Sequence, residues 1–346
     1  MKKYIALFVS ILFFTGFFVS CRKDTPKTTI NNDITSEHGV FIVNEGNFQW
    51  GNASVSYYNF SDGKYSEDVF EEVNNRPLGD VAQSICVIGD KAYIVVNNSN
   101  KIEIVKTTDF SSLGVITGFI SPRYLLPITS SKAYVSDLYS NKISIINLNN
   151  NTITGTIACN GSTEEMLIDS STVVVTNTRT NFIYLINPAN DAVFDSIQLG
   201  FASNSLALDK NGKLWVMCAG DATNSIKASI YRVNISSKTV EQSFQLNTSL
   251  DIWDKLRINT TKDTLYYMCN GIYRMPVSSY SLPATAFIDQ GSHLFHAIGI
   301  DPVNNNLFVA DAIDYVQKGK VYYYSPAGNL LGTINTGVIP TAFYFY

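Results

Sequence analysis

The sequence is poor in charge, in histidine and in the patterns that build helices. Charged side chains make up 16% of the 346 residues, against ~25% in an ordinary soluble domain. The 25 basic and 29 acidic residues leave a formal net charge of −4, so no positive field exists to hold a polyphosphate chain, and general nucleic-acid binding is excluded. Three histidines (His38, His293, His296) are too few for a histidine-rich zinc centre. No apolar run reaches the ~20 residues that cross a bilayer as a helix. Cys86, Cys159, Cys218 and Cys269 stand in no CxxC or other metal-ligand spacing and read as small buried hydrophobes. Cys218 and Cys269 fall at equivalent repeat positions, and the sequence leaves open whether they bridge. What is abundant is apolar and aromatic: 45% hydrophobic residues, with 20 Tyr and 20 Phe. A chain of this length with that content buries a large core, and its wealth of Tyr, Thr, Asn and Ser favours strands over helices.

The first residues are an address. Lys2 and Lys3 precede a 15-residue apolar run at 5–19, too short to span and placed as in a secretory signal. The run ends in Phe18-Val19-Ser20-Cys21, which resembles the lipobox of bacterial lipoproteins. That resemblance implies a signal peptide at 1–20, cleavage before Cys21, lipidation of that cysteine and a membrane anchor. Residues 22–37 are polar and without apolar period, so 21–37 is read as the lipidated Cys and its flexible tether. The folded domain is 38–346.

An internal repeat fills the rest of the chain. The segments GVFIVN, KAYIVV, KAYVSD, TVVVTN, KLWVMC, TLYYMC and NLFVAD align Phe41, Tyr93, Tyr134, Val174, Trp215, Tyr266 and Phe308 in one column, at steps of 52, 41, 40, 41, 51 and 42 residues. A second column, Val55, Ile102, Ile143, Ile183, Ile230, Ile272 and Val321, follows in SVSYYN, KIEIVK and their equivalents. Polar turns such as Asn149-Asn150-Asn151 lead into a third strand. A fourth strand precedes column one in SICVIG, YLLPIT, EMLIDS, SLALDK, KLRINT and AIGIDP. The first repeat lacks it, and the missing strand is found at the far end, in PTAFYFY at 340–346. Four-stranded units of this period specify an all-β, seven-bladed β-propeller whose C-terminal strand completes blade 1. A solenoid would need polar caps, and this chain ends in Phe-Tyr-Phe-Tyr.

The repeat also locates a functional face. The column-one to column-two spacing is 9 in blades 2, 3 and 4 but 14, 15 and 13 in blades 1, 5 and 7. The insertions at 45–52, 219–227 and 312–319, with the long blade connections at 74–82, 247–254 and 290–296, emerge on one side. Elaborated loops on a rigid scaffold carry binding. That face collects Phe48, Trp50, Arg76, Asp80, Arg123, Tyr124, Tyr139, Arg179, Phe201, Trp253, His293, Phe295, His296 and Tyr315, aromatic and Arg side chains of the kind enriched at recognition surfaces. We take Phe48, Trp50, Arg76, Tyr124, Tyr139, Arg179, Phe201, Trp253, His296 and Tyr315 as the candidate ligand-binding set. The first residues of the inner strands form an expected ring at the channel mouth: Gln83, Tyr124, Glu164, Asn204, Asp254, His296 and Pro340. Glu164, Asp254 and His296 could hold a cation or serve as acid and base.

The stretch FIVNEGNFQWGNASVSYYNF (41–60), the block RPLGDVAQSICVIGDKAYIVVNNSNKIEIV (76–105) and the KAYVSD…NKISIINLNNNTITGTI unit resemble the YncE-like seven-bladed propeller lipoproteins of Bacteroidetes. That group includes the BtuG-type surface lipoproteins, which bind cobalamin on the propeller face and pass it to an outer-membrane transporter. The resemblance implies a non-enzymatic, exported, lipid-anchored outer-membrane protein, without cofactor, metal or nucleic-acid partner, that binds a nutrient, with a corrinoid (vitamin B12) as the named candidate. Surface and periplasmic exposure both stay open. Two other classes stand beside it: a metal-dependent, lactonase-like hydrolase with the metal at the channel mouth, and a protein-interaction propeller acting with a membrane transporter.

Overall fold

The computed structural model describes residues 38–251 and 253–346. The expected signal peptide at 1–20, the lipidation site Cys21 and the tether at 21–37 lie outside the described residues.

The strands form seven four-stranded antiparallel sheets. Six take their four strands consecutively from the sequence, and the seventh places Pro340–Phe345 in front of Gly39–Asn44, Ser54–Asn59 and Tyr65–Ser66. The inner strands touch one another in a closed ring, running from blade 1 (Pro340–Phe345) through Ala82–Ile88, Pro122–Pro127, Thr163–Asp169, Ser203–Leu208, Leu256–Ile258 and Phe295–Ile300 back to blade 1. The chain is a seven-bladed β-propeller.

Burial explains why the repeat takes the form it does. The second strand of each blade is covered on both faces by neighbouring blades, so it needs a continuous apolar run. All seven column-one residues are buried, as are all seven of column two. Trp215 is the largest of them, and its indole Nε1 donates to Asp209 Oδ2 at 2.9 Å, which removes the one polar liability of burying it. The outermost strands are half solvated and alternate accordingly, as Thr152–Ala158 does. The polar turns between the outer strands use residues that accept positive φ, such as Asn151 (φ 57°) and Asp191 (φ 54°).

Two features were not legible beforehand. The outer strand of blade 1 is cut to Tyr65–Ser66 and followed by a helix, Val69–Asn74, whose N-cap Asp68 accepts from the Glu71 amide at 3.1 Å. The helix drives Val69 and Phe70 into the core between blades 1 and 2, covering an edge that the short strand cannot. The four cysteines at 86, 159, 218 and 269 are all free. Burial pushes the Cys159 and Cys218 thiols up to about 12, which leaves them unreactive.

The ring is closed by the pairs Val40–Phe345, Phe41–Tyr344, Ile42–Phe343 and Val43–Ala342, extended by reciprocal 3.1 Å bonds between Gly39 and Tyr346. Phe345 meets Phe308 of blade 7 at 4.9 Å between ring centres, and Tyr346 meets Phe41 at 5.0 Å. One strand therefore joins the cores of blades 1 and 7 as well as the two chain ends. Deleting 341–346 should abolish cooperative folding, because it bares the edge of Gly39–Asn44 and a gap beside blade 7. A truncated protein whose thermal transition matches that of the full chain would overturn the closure.

Candidate ligand-binding face

Every inner strand starts on the face that carries the long loops, and in six blades it starts with an irregularity. Pairing with the second strand slips at Thr341, Gln83, Arg123-Tyr124, Glu164-Glu165, Asn204 and His296. A bulge breaks the alternation of a strand and re-aims its side chains, here towards the channel. The same hydrogen bond pins it each time: the residue after the second strand donates to the carbonyl just before the bulge, as in Asn97 to Val81 (2.7 Å), Ala219 to Ala202 (2.8 Å) and Glu45 to Ile339 (2.9 Å). Val81, Ala202 and Ile339 adopt left-handed φ of 56°, 61° and 56°, a strain of about 1–3 kcal/mol each for such residues that the bond network holds in place. Blade 6 shows no slip: its inner strand pairs regularly from Leu256, Asp254 keeps the register of Asn204 and His296, and Lys255 beside it lines the cavity.

The ring at the mouth is thus Thr341, Gln83, Arg123, Glu164, Asn204, Asp254 and His296, with Lys255 next to Asp254 on the cavity wall. Five of the expected members stand where the repeat put them. Tyr124 and Pro340 are replaced by their neighbours Arg123 and Thr341, because the bulges shift the register by one residue.

Arg123 is the centre of the mouth. Its guanidinium donates from Nε to Glu164 Oε1 at 2.7 Å, from Nη2 to Glu164 Oε2 at 3.2 Å and from Nη1 to the Gln83 carbonyl oxygen. Burial opposes its charge, and Glu164 outweighs burial, so Arg123 is held above its usual range. Arg257 pairs with Glu165 Oε1 at 3.0 Å. His296 Nε2 faces Glu45 Oε1 at 3.4 Å. Burial alone would push the Glu45 carboxyl up, yet His296 and the nearby Arg123 bring it below its usual value. Lys255 Nζ donates to the Asn204 carbonyl at 3.0 Å and lies 3.9 Å from Glu164; burial lowers its ammonium, and the neighbouring Glu164 and Glu165 offset only part of that. Burial raises Asp254 to about 6, although its Oδ2 accepts from the Asp251 amide at 2.9 Å.

Aromatic side chains stand over these charges. Trp253 stacks on His296 at 5.5 Å, Tyr315 meets the same imidazole edge-on at 5.7 Å, and Lys255 lies 5.7 Å from the Tyr124 ring centre. Trp253, His296, Tyr124 and Lys255 line a cavity of about 190 Å³ with Glu45, Gln83, Arg123, Arg257, Val81, Thr341 and Ala342.

The structure brings four of the candidate residues together: Tyr124, Trp253, His296 and Tyr315. Phe48 and Trp50 stand at the tip of the blade 1 loop, 64% and 71% exposed, and that loop is tied to blade 7 by Asn47 Nδ2 donating to the Tyr315 carbonyl at 2.6 Å. Tyr139 and Arg179 stack on one another at 5.4 Å between blades 3 and 4, and Phe201 is half-buried at the connection to blade 5; none of the three lines the cavity. Arg76 is committed elsewhere: both its Nη atoms donate to Glu103 at 2.8 Å, and its guanidinium lies over Phe70, which makes it a clamp for the blade 1 helix. Glu45, Lys255, Arg257 and Thr341 are mouth residues that sequence reasoning missed. Lys255 and Thr341 stand next to the expected ring members Asp254 and Pro340, Arg257 lies three residues beyond Asp254, and Glu45 opens the insertion at 45–52.

A family profile described as a domain of unknown function (DUF5074) matches residues 38–345, and the chain belongs to that family. No curated protein matches it. Among solved structures it is similar to a quinonprotein alcohol dehydrogenase-like protein of Bacteroides thetaiotaomicron (TM-score 0.71, 14% identity, 91% of this chain and 79% of that one). It is also similar to a putative 6-phosphogluconolactonase of Bacteroides fragilis (TM-score 0.63, 14% identity, 90% and 99%) and to the computationally designed protein Ika8 (TM-score 0.61, 10% identity, 91% and 94%). At these identities the likeness establishes the propeller fold.

Two outcomes follow from the electrostatics of the mouth. Arg123→Ala strands the buried Glu164 carboxylate and should cost about 3–5 kcal/mol in urea unfolding; a loss under ~1 kcal/mol would remove Arg123 from its central place. Because the folded state holds Asp254 above its unfolded value, stability is present below about pH 4 and lost as pH rises through about 6. The Asp254→Asn variant escapes that loss, so its melting temperature relative to wild type should climb between pH 4 and 6 and then level off. A difference that is flat with pH would contradict the assignment.

Proposed function

We propose that this protein is an exported, lipid-anchored binding protein that captures a small molecule on its loop-rich face without transforming it, and that the molecule is a corrinoid. The observation that carries the reading is the aromatic ladder of Trp253, His296 and Tyr315 set over a cavity ringed by Arg123, Lys255 and Arg257. Flat apolar surface beside placed polar groups is what a large, amide-rimmed ring requires. A cavity of about 190 Å³ is too small for a whole corrin, so the macrocycle lies across the aromatic side chains and inserts one peripheral group.

The direction of the chain agrees with capture from outside. Gly39–Asn44 runs towards the mouth, so Gly39 lies on the opposite side, and a lipid on Cys21 would turn the mouth away from the membrane. Phe48 and Trp50, exposed at the rim, suit an outer-membrane transporter that receives the ligand. The hydrolase reading is supported less well, since Glu164 is committed to Arg123. Among the described residues no three His, Cys, Asp or Glu side chains gather as a metal site.

Calorimetric titration of the mature, unlipidated chain with cyanocobalamin tests the reading, with one-to-one binding as the expected result. Trp253→Ala should weaken that binding by about 30-fold, or ~2 kcal/mol, at a nearly unchanged melting temperature. No heat with the wild type would remove the corrinoid, and unchanged affinity in both Trp253→Ala and Trp50→Ala would remove the face.

A further inference from the structure

The cations at the mouth pair off, with one exception. Glu164 takes the guanidinium of Arg123, Glu165 that of Arg257, and Glu45 the Nε2 of His296. Lys255 is left over. Its ammonium is buried, with 5% of the residue exposed, and the nearest carboxylate oxygen, 3.9 Å away, already accepts from Arg123 Nη2 at 3.2 Å. Of its three N–H donors, one is used on the Asn204 carbonyl. Beside it, His296 is 3% exposed, and its Nδ1 has no hydrogen-bond partner among the described residues. Both residues line the same cavity. A buried cation and a buried ring nitrogen, each short of partners, are rarely tolerated without a group that completes them.

We infer that the mouth cavity is an oxyanion subsite, in which a carboxylate or phosphate carried by the ligand accepts from Lys255 Nζ and from Nδ1–H of a doubly protonated His296, whose Nε2–H donates to Glu45. The inference rests on the ligand-binding reading above and specifies the chemistry of the group that enters. Arg257, also on the cavity wall, adds a second positive charge within reach. Trp253 over His296 and Tyr124 beside Lys255 keep bulk water away, which strengthens a charge-assisted bond made there. The depressed ammonium of Lys255 agrees with a cation lacking full compensation. Glu45 also borders the cavity, and its engagement with His296 turns it from an obstacle into the group that orients the imidazole.

The test is a titration of the full mature chain with inorganic phosphate and, separately, with acetate, at ionic strength held constant with sodium chloride. One oxyanion should bind one-to-one and raise the melting temperature, the stronger of the two telling phosphate from carboxylate. Lys255→Met should weaken it at least 10-fold, with Lys255→Gln as the second variant if the first fails to fold. A response equal to that of chloride, or undiminished in both Lys255 variants, would overturn the subsite. A corrinoid arm separates this inference from the proposed function: cyanocobalamin carries a phosphodiester and dicyanocobinamide does not. If both bind equally and neither oxyanion binds, the subsite falls and corrinoid capture stands; if an oxyanion binds in a Lys255-dependent way and neither corrinoid does, the reverse holds.

Discussion

The structure depends on one pairing, that of Pro340–Phe345 with Gly39–Asn44. Each blade buries its second strand only against a neighbour, so an open array would leave the apolar run of Gly39–Asn44 at one end and the Phe308 cluster at the other without cover. Ring closure removes both edges at once. Because the closing strand is also the inner strand of blade 1, the same hydrogen bonds that stabilise the ring set Thr341 at the channel mouth. There is no room to adjust it: a Cβ on Gly299 would stand 2.7 Å from the Phe343 ring, so blades 7 and 1 interlock at that point in one register.

Closure brings seven strand starts onto one circle, and the bulges turn that circle into chemistry. A regular strand would send alternate residues inward and leave the mouth polar but uncommitted. The repeated bond from the end of the second strand to the carbonyl before the bulge holds an extra residue in six of the seven inner strands. That is how Arg123 and Tyr124 both reach the mouth, and how Glu164 and Glu165 face two different cations. The result is a dense set of buried charges in which the loss of one partner is more consequential than the pair's own contribution. Such a set gives position and orientation to the groups that face the cavity, while the aromatic loops supply area. This division of labour suits selection of a ligand by one charged substituent and a broad apolar body.

In blade 6 two adjacent residues take different places. Lys255 lines the cavity, while Asp254 accepts from the Asp251 amide in the loop that carries Trp253.

The fold was written in the sequence because its signal is periodic. Seven buried columns such as Phe41 and Val55 repeat at blade spacing, and the strand absent from the first repeat is present as PTAFYFY at 340–346. The side from which the long loops emerge was equally legible, since insertion lengths at 45–52, 219–227 and 312–319 need no coordinates. The sequence by itself therefore determined the propeller, its closure and the side on which Trp253, His296 and Tyr315 stand. What only the tertiary structure decided was which of two adjacent residues faces the channel, and which charged side chains are free. A bulge is a one-residue event in the pairing of two strands, invisible to a periodic pattern, and it brought Arg123 to the ring beside Tyr124. Whether an arginine is available or committed depends on distant residues: Arg76 is held by Glu103, 27 positions away, and Arg123 by Glu164, 41 away. Those partners meet because neighbouring blades pack side by side.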